Sequence, residues 1–160
     1  MNVRTWTGSA VAVGAMLVVA GPAQAASRVG VKSAIVRQDR AVHHSAAYKR
    51  LKHTTRGSLT DPRKVIPEYR ALGRVIDRAA SAVSRSTATT STQRRARRDW
   101  VTGVRLEARG LDQLATALGD IEHGKRYAAR REARKAVVTV KRGARLTARG
   151  DRLLGLPRTD

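Results

Sequence analysis

Between Gln93 and Leu154 the apolar residues of this chain recur every third or fourth position, twice over, with a short polar interruption between the two runs. Trp100 or Val101, Val104, Ala108, Leu111, Ala115 and Leu118 keep the alternation from about Gln93 to Ile121. Ala129, Ala133, Ala136, Val140 and Ala144 keep it from about Lys125 to Leu154. Steps of three and four place such residues on one side of a helix, so two long amphipathic helices are predicted. Asp120-Ile-Glu-His-Gly124 reads as the reversal between them, and Gly155 and Pro157 stop the second. The expected unit is an antiparallel hairpin over about 93–154, each arm about 40 Å long at about 1.5 Å per residue.

Upstream the pattern is shorter. Tyr69, Leu72, Ile76, Ala79 and Val83 form an amphipathic stripe, and two helix-start signals precede it, Asp61-Pro62 and Pro67-Glu68. Pro is welcome in a first turn and disruptive inside a helix, so the main helix is predicted to start at Pro67. It ends before SRSTATTST, residues 84–92, a hydroxyl-rich linker whose last residues can cap the next helix. Ile35, Val42, Ala46 and Leu51 suggest one further helix, from about Lys32 to Lys52, after a flexible start. The fold class is therefore all-α, an antiparallel bundle of three to four helices. A basic segment, 26–60, precedes a bundle domain, 61–160.

Two stretches of the hairpin arms resemble each other. GVRLEARGLDQL from Gly103 and GARLTARGDRLL from Gly143 agree at seven of twelve positions. If the chain turns near His123, Gly103 comes opposite Gly143, with Gly110 and Gly150 each seven residues further on. Glycine inside a helix costs about 1 kcal/mol relative to alanine. Paired placement is explained if the two helices approach closely there.

The amino end carries a different pattern. MNVRTWTGSAVAVGAMLVVAGPAQA has one base, Arg4, an apolar run from Ala10 to Ala20, a Gly21-Pro22 break, and small residues at Ala23 and Ala25. This is the order of a secretory signal peptide, with cleavage expected after Ala25 and Ala26 as the new terminus. A retained membrane anchor fits less well, because the strongly apolar part falls short of the roughly 20 residues a span requires.

Charge changes the picture more than size does. The chain has 33 Lys and Arg against 12 Asp and Glu, a net +21 at pH 7. Removing residues 1–25 takes away one base and no acid, leaving +20. Arginine outnumbers lysine 26 to 7, a ratio that coding bias explains and a net charge that it does not. There is no cysteine and no phenylalanine, so disulfides and lipid attachment through cysteine are excluded. The core must come from Leu, Val, Ile and Ala.

Little catalytic chemistry is legible. There is no G-x-S-x-G elbow, no phosphate-cradling glycine loop and no H-E-x-x-H. His43, His44, His53 and His123 read as exposed residues rather than metal ligands, since adjacent histidines point to different helix faces. No cofactor and no enzymatic activity are expected. Most acids read as charge compensation, with Arg95–Asp99 and Glu122–Arg126 placed to pair along the helix.

The basic residues remain. Arg131, Lys135, Arg142, Arg145, Arg149 and Arg152 follow one stripe of the last helix, within roughly 60° of a single line opposite Val140. Such a stripe suits an anionic envelope polymer or an anionic membrane surface. Nucleic acid is disfavoured by export and by the scarcity of aromatic stacking platforms. The expected function is that of an exported, non-enzymatic bundle binding anionic envelope material or a partner protein. The alternative is a purely structural or protein-interaction bundle whose charge is incidental.

Overall fold

The computed structural model describes residues 29–57 and 61–157. Within them the chain is all-α, with five helices: α1 (Val31–His44), α2 (Ala46–Gly57), α3 (Pro62–Ser84), α4 (Ser91–Glu122) and α5 (Arg126–Leu153). The expected cleavage site at Ala23–Ala26 lies outside the described residues. None of the described helices is long and apolar enough to cross a membrane.

The hairpin of α4 and α5 dominates the packing, and α3 lies along another face of α4. Helices α1 and α2 rest mainly on α3, and α5 touches no helix except α4. The apolar core gathers at one end, where Val31 and Ile35 of α1 meet Ala80 and Val83 of α3 and Trp100, Val101 and Val104 of α4. Leu154 and Leu156 close over it from beyond α5. The Val29 carbonyl accepts from the Thr87 N–H at 3.1 Å and ties the chain entering α1 to the α3–α4 linker.

Two boundaries differ from expectation. The single helix foreseen over Lys32–Lys52 is broken at Ser45, whose backbone is extended (ψ 146°). The Ser45 hydroxyl accepts from the Tyr48 N–H at 3.2 Å while donating to the Val42 carbonyl at 2.6 Å. One side chain thus ends α1 and caps α2. The helix foreseen from Pro67 starts instead at Pro62, capped by Asp61, whose carboxylate accepts from the Arg63 N–H at 3.2 Å. Pro67 sits inside the helix, where it contributes no hydrogen bond. The extra turn is held by Val65, which is buried.

The linker caps α4 as its composition predicts. Thr90 Oγ1 accepts from the Gln93 N–H at 3.1 Å, and Gln93 Oε1 accepts in return from the Thr89 N–H at 2.9 Å. This is a capping box displaced by one residue. At the hairpin turn Gly124 takes φ +73°, the Gly124 N–H donates to Ile121 and the Lys125 N–H to Asp120. Those two bonds are the Schellman closure of a helix end. The same closure recurs at Gly155 (φ +61°) and delivers Leu156 to the core.

The hairpin is zipped by small residues. Ala96, Gly103, Gly110 and Ala117 of α4 are buried at every seventh position, as are Ala129, Ala136, Gly143 and Gly150 of α5. A Cβ added at Gly150 would meet the Ala96 carbonyl at 2.9 Å, one at Gly110 the Ala136 carbonyl at 3.4 Å. One added at Gly103 would meet the Gly143 carbonyl at 2.7 Å. The register is the one expected from a turn near His123. The inner face of α5 is rotated from the expected one, however. Ala144 is exposed, because the glycines rather than the larger apolar residues sit in the seam.

Candidate functional site

The expected basic stripe of α5 does not survive as one free surface. Arg131 and Lys135 flank Glu132, with Nε and Nζ at 3.7 and 2.8 Å from its carboxylate. The Lys135 hydrogen bond, with the charges of Lys135 and Arg131, lowers the Glu132 pKa. Arg142, Arg145 and Arg152 are exposed, and no acid among the described residues pairs with them.

Arg149 departs furthest from expectation. Its Nε and Nη2 both donate at 2.8 Å to the two carboxylate oxygens of Asp99, which is 3% exposed. The bond joins α5 to α4 fifty residues away, so Arg149 is a fastener of the hairpin and not a spare cation. Asp99 consequently pairs across the hairpin rather than with Arg95. Glu122 likewise receives Arg63 of α3, at 2.5 Å, rather than Arg126 of its own neighbourhood. Sequence spacing finds pairs along a helix, and the fold replaced both with pairs between helices.

His43, His44 and His123 are exposed. His43 lies 3.6 Å from Asp39 and edge-on to Tyr48. Among the described residues no three His, Asp or Glu side chains converge as a metal-ligating group.

Asp39 of α1 is near enough to Glu107 and Asp151 of the hairpin for its charge to act on both. Glu107 accepts from the Thr147 hydroxyl at 2.9 Å, and burial raises its pKa against that hydrogen bond, with Asp151 and Asp39 adding repulsion. Asp151 is pushed up to about 6 by burial and then by Asp39. Asp151 can therefore hold a proton at mildly acidic pH. The three carboxylates offer no nucleophile beside a base.

Comparison with protein-family models, with curated proteins and with solved structures finds no match for this chain.

The fold also collects cations that the sequence reading did not single out. Arg70, Arg74 and Arg78 of α3 and Arg105 and Arg109 of α4 line one groove of about 670 Å³ between the two helices. Arg74 and Arg78 also line a neighbouring hollow of about 360 Å³, with Arg50 of α2. The available signal was the recurrence at 70, 74 and 78, which puts three bases on one helix face.

Proposed function

We propose that the chain is exported and works outside the cytoplasm as a non-enzymatic bundle that binds anionic envelope material through its cationic surface. The supporting observation is the isolation of α5. It packs on α4 alone and carries ten bases against only Glu132 and Asp151. At about 100° per residue, Arg134, Lys141, Arg145 and Arg152 lie opposite the small-residue seam, all exposed. The like charges do not stabilise the helix that bears them. A bound polyanion would release condensed counterions in proportion to the contacts made, which makes such a surface favourable in the bound state.

Co-sedimentation with purified cell envelopes tests the reading. Retention should fall about a thousandfold in apparent affinity between roughly 50 and 200 mM salt if six or more anionic groups are contacted. Retention that ignores salt would remove the polyanion from the account. Export is tested by the intact mass of protein recovered outside the cell, which should begin at Ala26. A product retaining Met1 would overturn cleavage.

A protein partner is the second reading, favoured by four large apolar side chains left in the open. Tyr127 is 85% and Val138 68% exposed on α5, with Ile121 and Val137 half exposed nearby. Salt-insensitive retention that disappears with Val138→Ser would favour it.

A further inference from the structure

The groove between α3 and α4 is built differently from the rest of the basic surface. Arg70, Arg74 and Arg78 stand one turn apart on α3, spanning about 12 Å at about 1.5 Å per residue. Arg105 and Arg109 stand one turn apart on the neighbouring α4. Between the two rows the floor is Gly73 and Ala108, where a Cβ on Gly73 would sit 3.4 Å from the Ala108 carbonyl. Two small residues let the backbones approach and leave the long arginines as walls.

Those arginines are poorly matched from within. Asp77 reaches Arg105 only at 3.9 Å, and Asp112 is the one other acid in the lining. No acid among the described residues pairs with Arg70, Arg74, Arg78 or Arg109. Like charges four apart on a helix destabilise it, and this groove holds three such pairs. The free chain therefore gains little from the arrangement beyond the long Asp77–Arg105 pair. A ligand with several negative groups would gain from it, because each guanidinium can donate two parallel hydrogen bonds to a phosphate.

We propose that this groove is a binding site for a linear phosphodiester polymer, laid along α3 with successive phosphates between the two arginine rows. The inference rests on the reading of the chain as a polyanion binder, and it moves the site from the outer face of α5 to the α3–α4 groove. A linear polymer can lie along the groove and meet both arginine rows at once. Nucleic acid bases would find nothing to stack on, since the lining contains no aromatic residue. A polymer of alditol phosphate units, with no bases and with charge at each repeat, matches both features.

The test is binding of poly(glycerol phosphate) to the purified full chain and to three variants, each checked for native helicity. Gly73→Leu fills the floor without altering charge. Replacing Arg70, Arg74 and Arg109 with Gln removes three groove cations, and replacing Arg134, Arg142 and Arg145 with Gln removes three from α5. Gly73→Leu should weaken binding about tenfold with an unchanged salt slope at matched contacts, and the groove triple about a hundredfold with a slope reduced by about 2–3. The α5 triple should lose less than about fivefold.

Equal losses in the two triples would overturn the groove while leaving polyanion binding intact. So would wild-type affinity in Gly73→Leu. If Gly73→Leu fails to fold, the two triples alone decide. Failure of the unmodified chain to bind the polymer at about 0.15 M salt would overturn the site, since at that ionic strength several contacts still confer affinity, and retention on cell envelopes would then decide the broader reading by itself. Vesicles of phosphatidylglycerol should bind no more weakly to Gly73→Leu than to the unmodified chain. Tighter groove-dependent binding of a single-stranded oligodeoxynucleotide would overturn the ligand class.

Discussion

Gly103 and Gly143 face each other across the α4–α5 hairpin so closely that a Cβ on either would lie 2.7 Å from the carbonyl oxygen of the other. Alanine is the better helix former, yet here its methyl group would force two backbones apart. Gly103→Ala should therefore destabilise the protein, by about 1–3 kcal/mol as overpacking of a tight contact does. Gly119, in the same helix, has nothing within 4 Å of an added Cβ. Gly119→Ala should stabilise by up to about 1 kcal/mol through propensity alone. Thermal unfolding of the two variants gives opposite signs if the seam is as close as described. A raised Tm for Gly103→Ala would mean that it is not.

The Arg149–Asp99 pair makes a second prediction, opposite to the one the basic stripe invites. Asp99 is buried and both its carboxylate oxygens are held by Arg149. Arg149→Gln leaves that carboxylate buried without its partner, which is the costly way to break such a pair. The Tm should fall by roughly 5 °C or more, whereas Arg145→Gln on the exposed face should leave it within about 1–2 °C. Adding Asp99→Asn to Arg149→Gln should recover part of the loss. Equal and small effects from the two arginines would show the pair to be unimportant.

The contrast between those residues indicates what the sequence carried. The hairpin was legible because its arms are long and their periodicity is sustained through many turns. The Gly103–Gly143 register was legible because glycine is costly in a helix and both copies recur seven residues on. The exact inner face of α5 was not. A hydrophobicity pattern weights Val140 and Ala144, while close helix packing selects the smallest residues, and Gly143 counts for little on such a scale. The role of Arg149 was hidden for another reason. Its partner lies fifty positions away, and nothing local distinguishes it from Arg145. The arginine groove depends in the same way on which faces of α3 and α4 meet.

Pro67 offers a third test. It stands in the second turn of α3, past the Asp61 cap, where its nitrogen cannot donate to the helix. Its side chain is exposed, so no packing is lost on replacement. Pro67→Ala should restore one helical hydrogen bond and raise stability by about 1–3 kcal/mol, the usual range for proline removed from a helix interior. The urea midpoint should rise with an unchanged slope. A fall would mean that the residue's fixed backbone angle matters more to α3 than the missing bond.

The raised carboxyls of Asp151 and Glu107 set a pH dependence whose sign can be worked out. Burial and the neighbouring Asp39 carboxylate raise Asp151 to about 6, against a usual value of 3.8, and Glu107 is raised in the same sense. Between those values the folded chain binds more protons than the unfolded one, so stability must fall as pH rises. The contribution is fully present below about pH 4 and lost above about pH 6. Asp151 is only partly buried, and solvent screening reduces the effect to about 1 kcal/mol. Other groups also change charge over this range, so the wild-type profile alone does not isolate Asp151. Asp151→Asn does, because its amide cannot ionise. The variant should match the wild type near pH 4 and exceed it by about 1 kcal/mol near pH 7, read from urea midpoints at each pH. A difference between the two proteins that stays constant from pH 4 to 7 would show that the Asp151 carboxyl titrates as it would in water, and that its surroundings carry no stored repulsion.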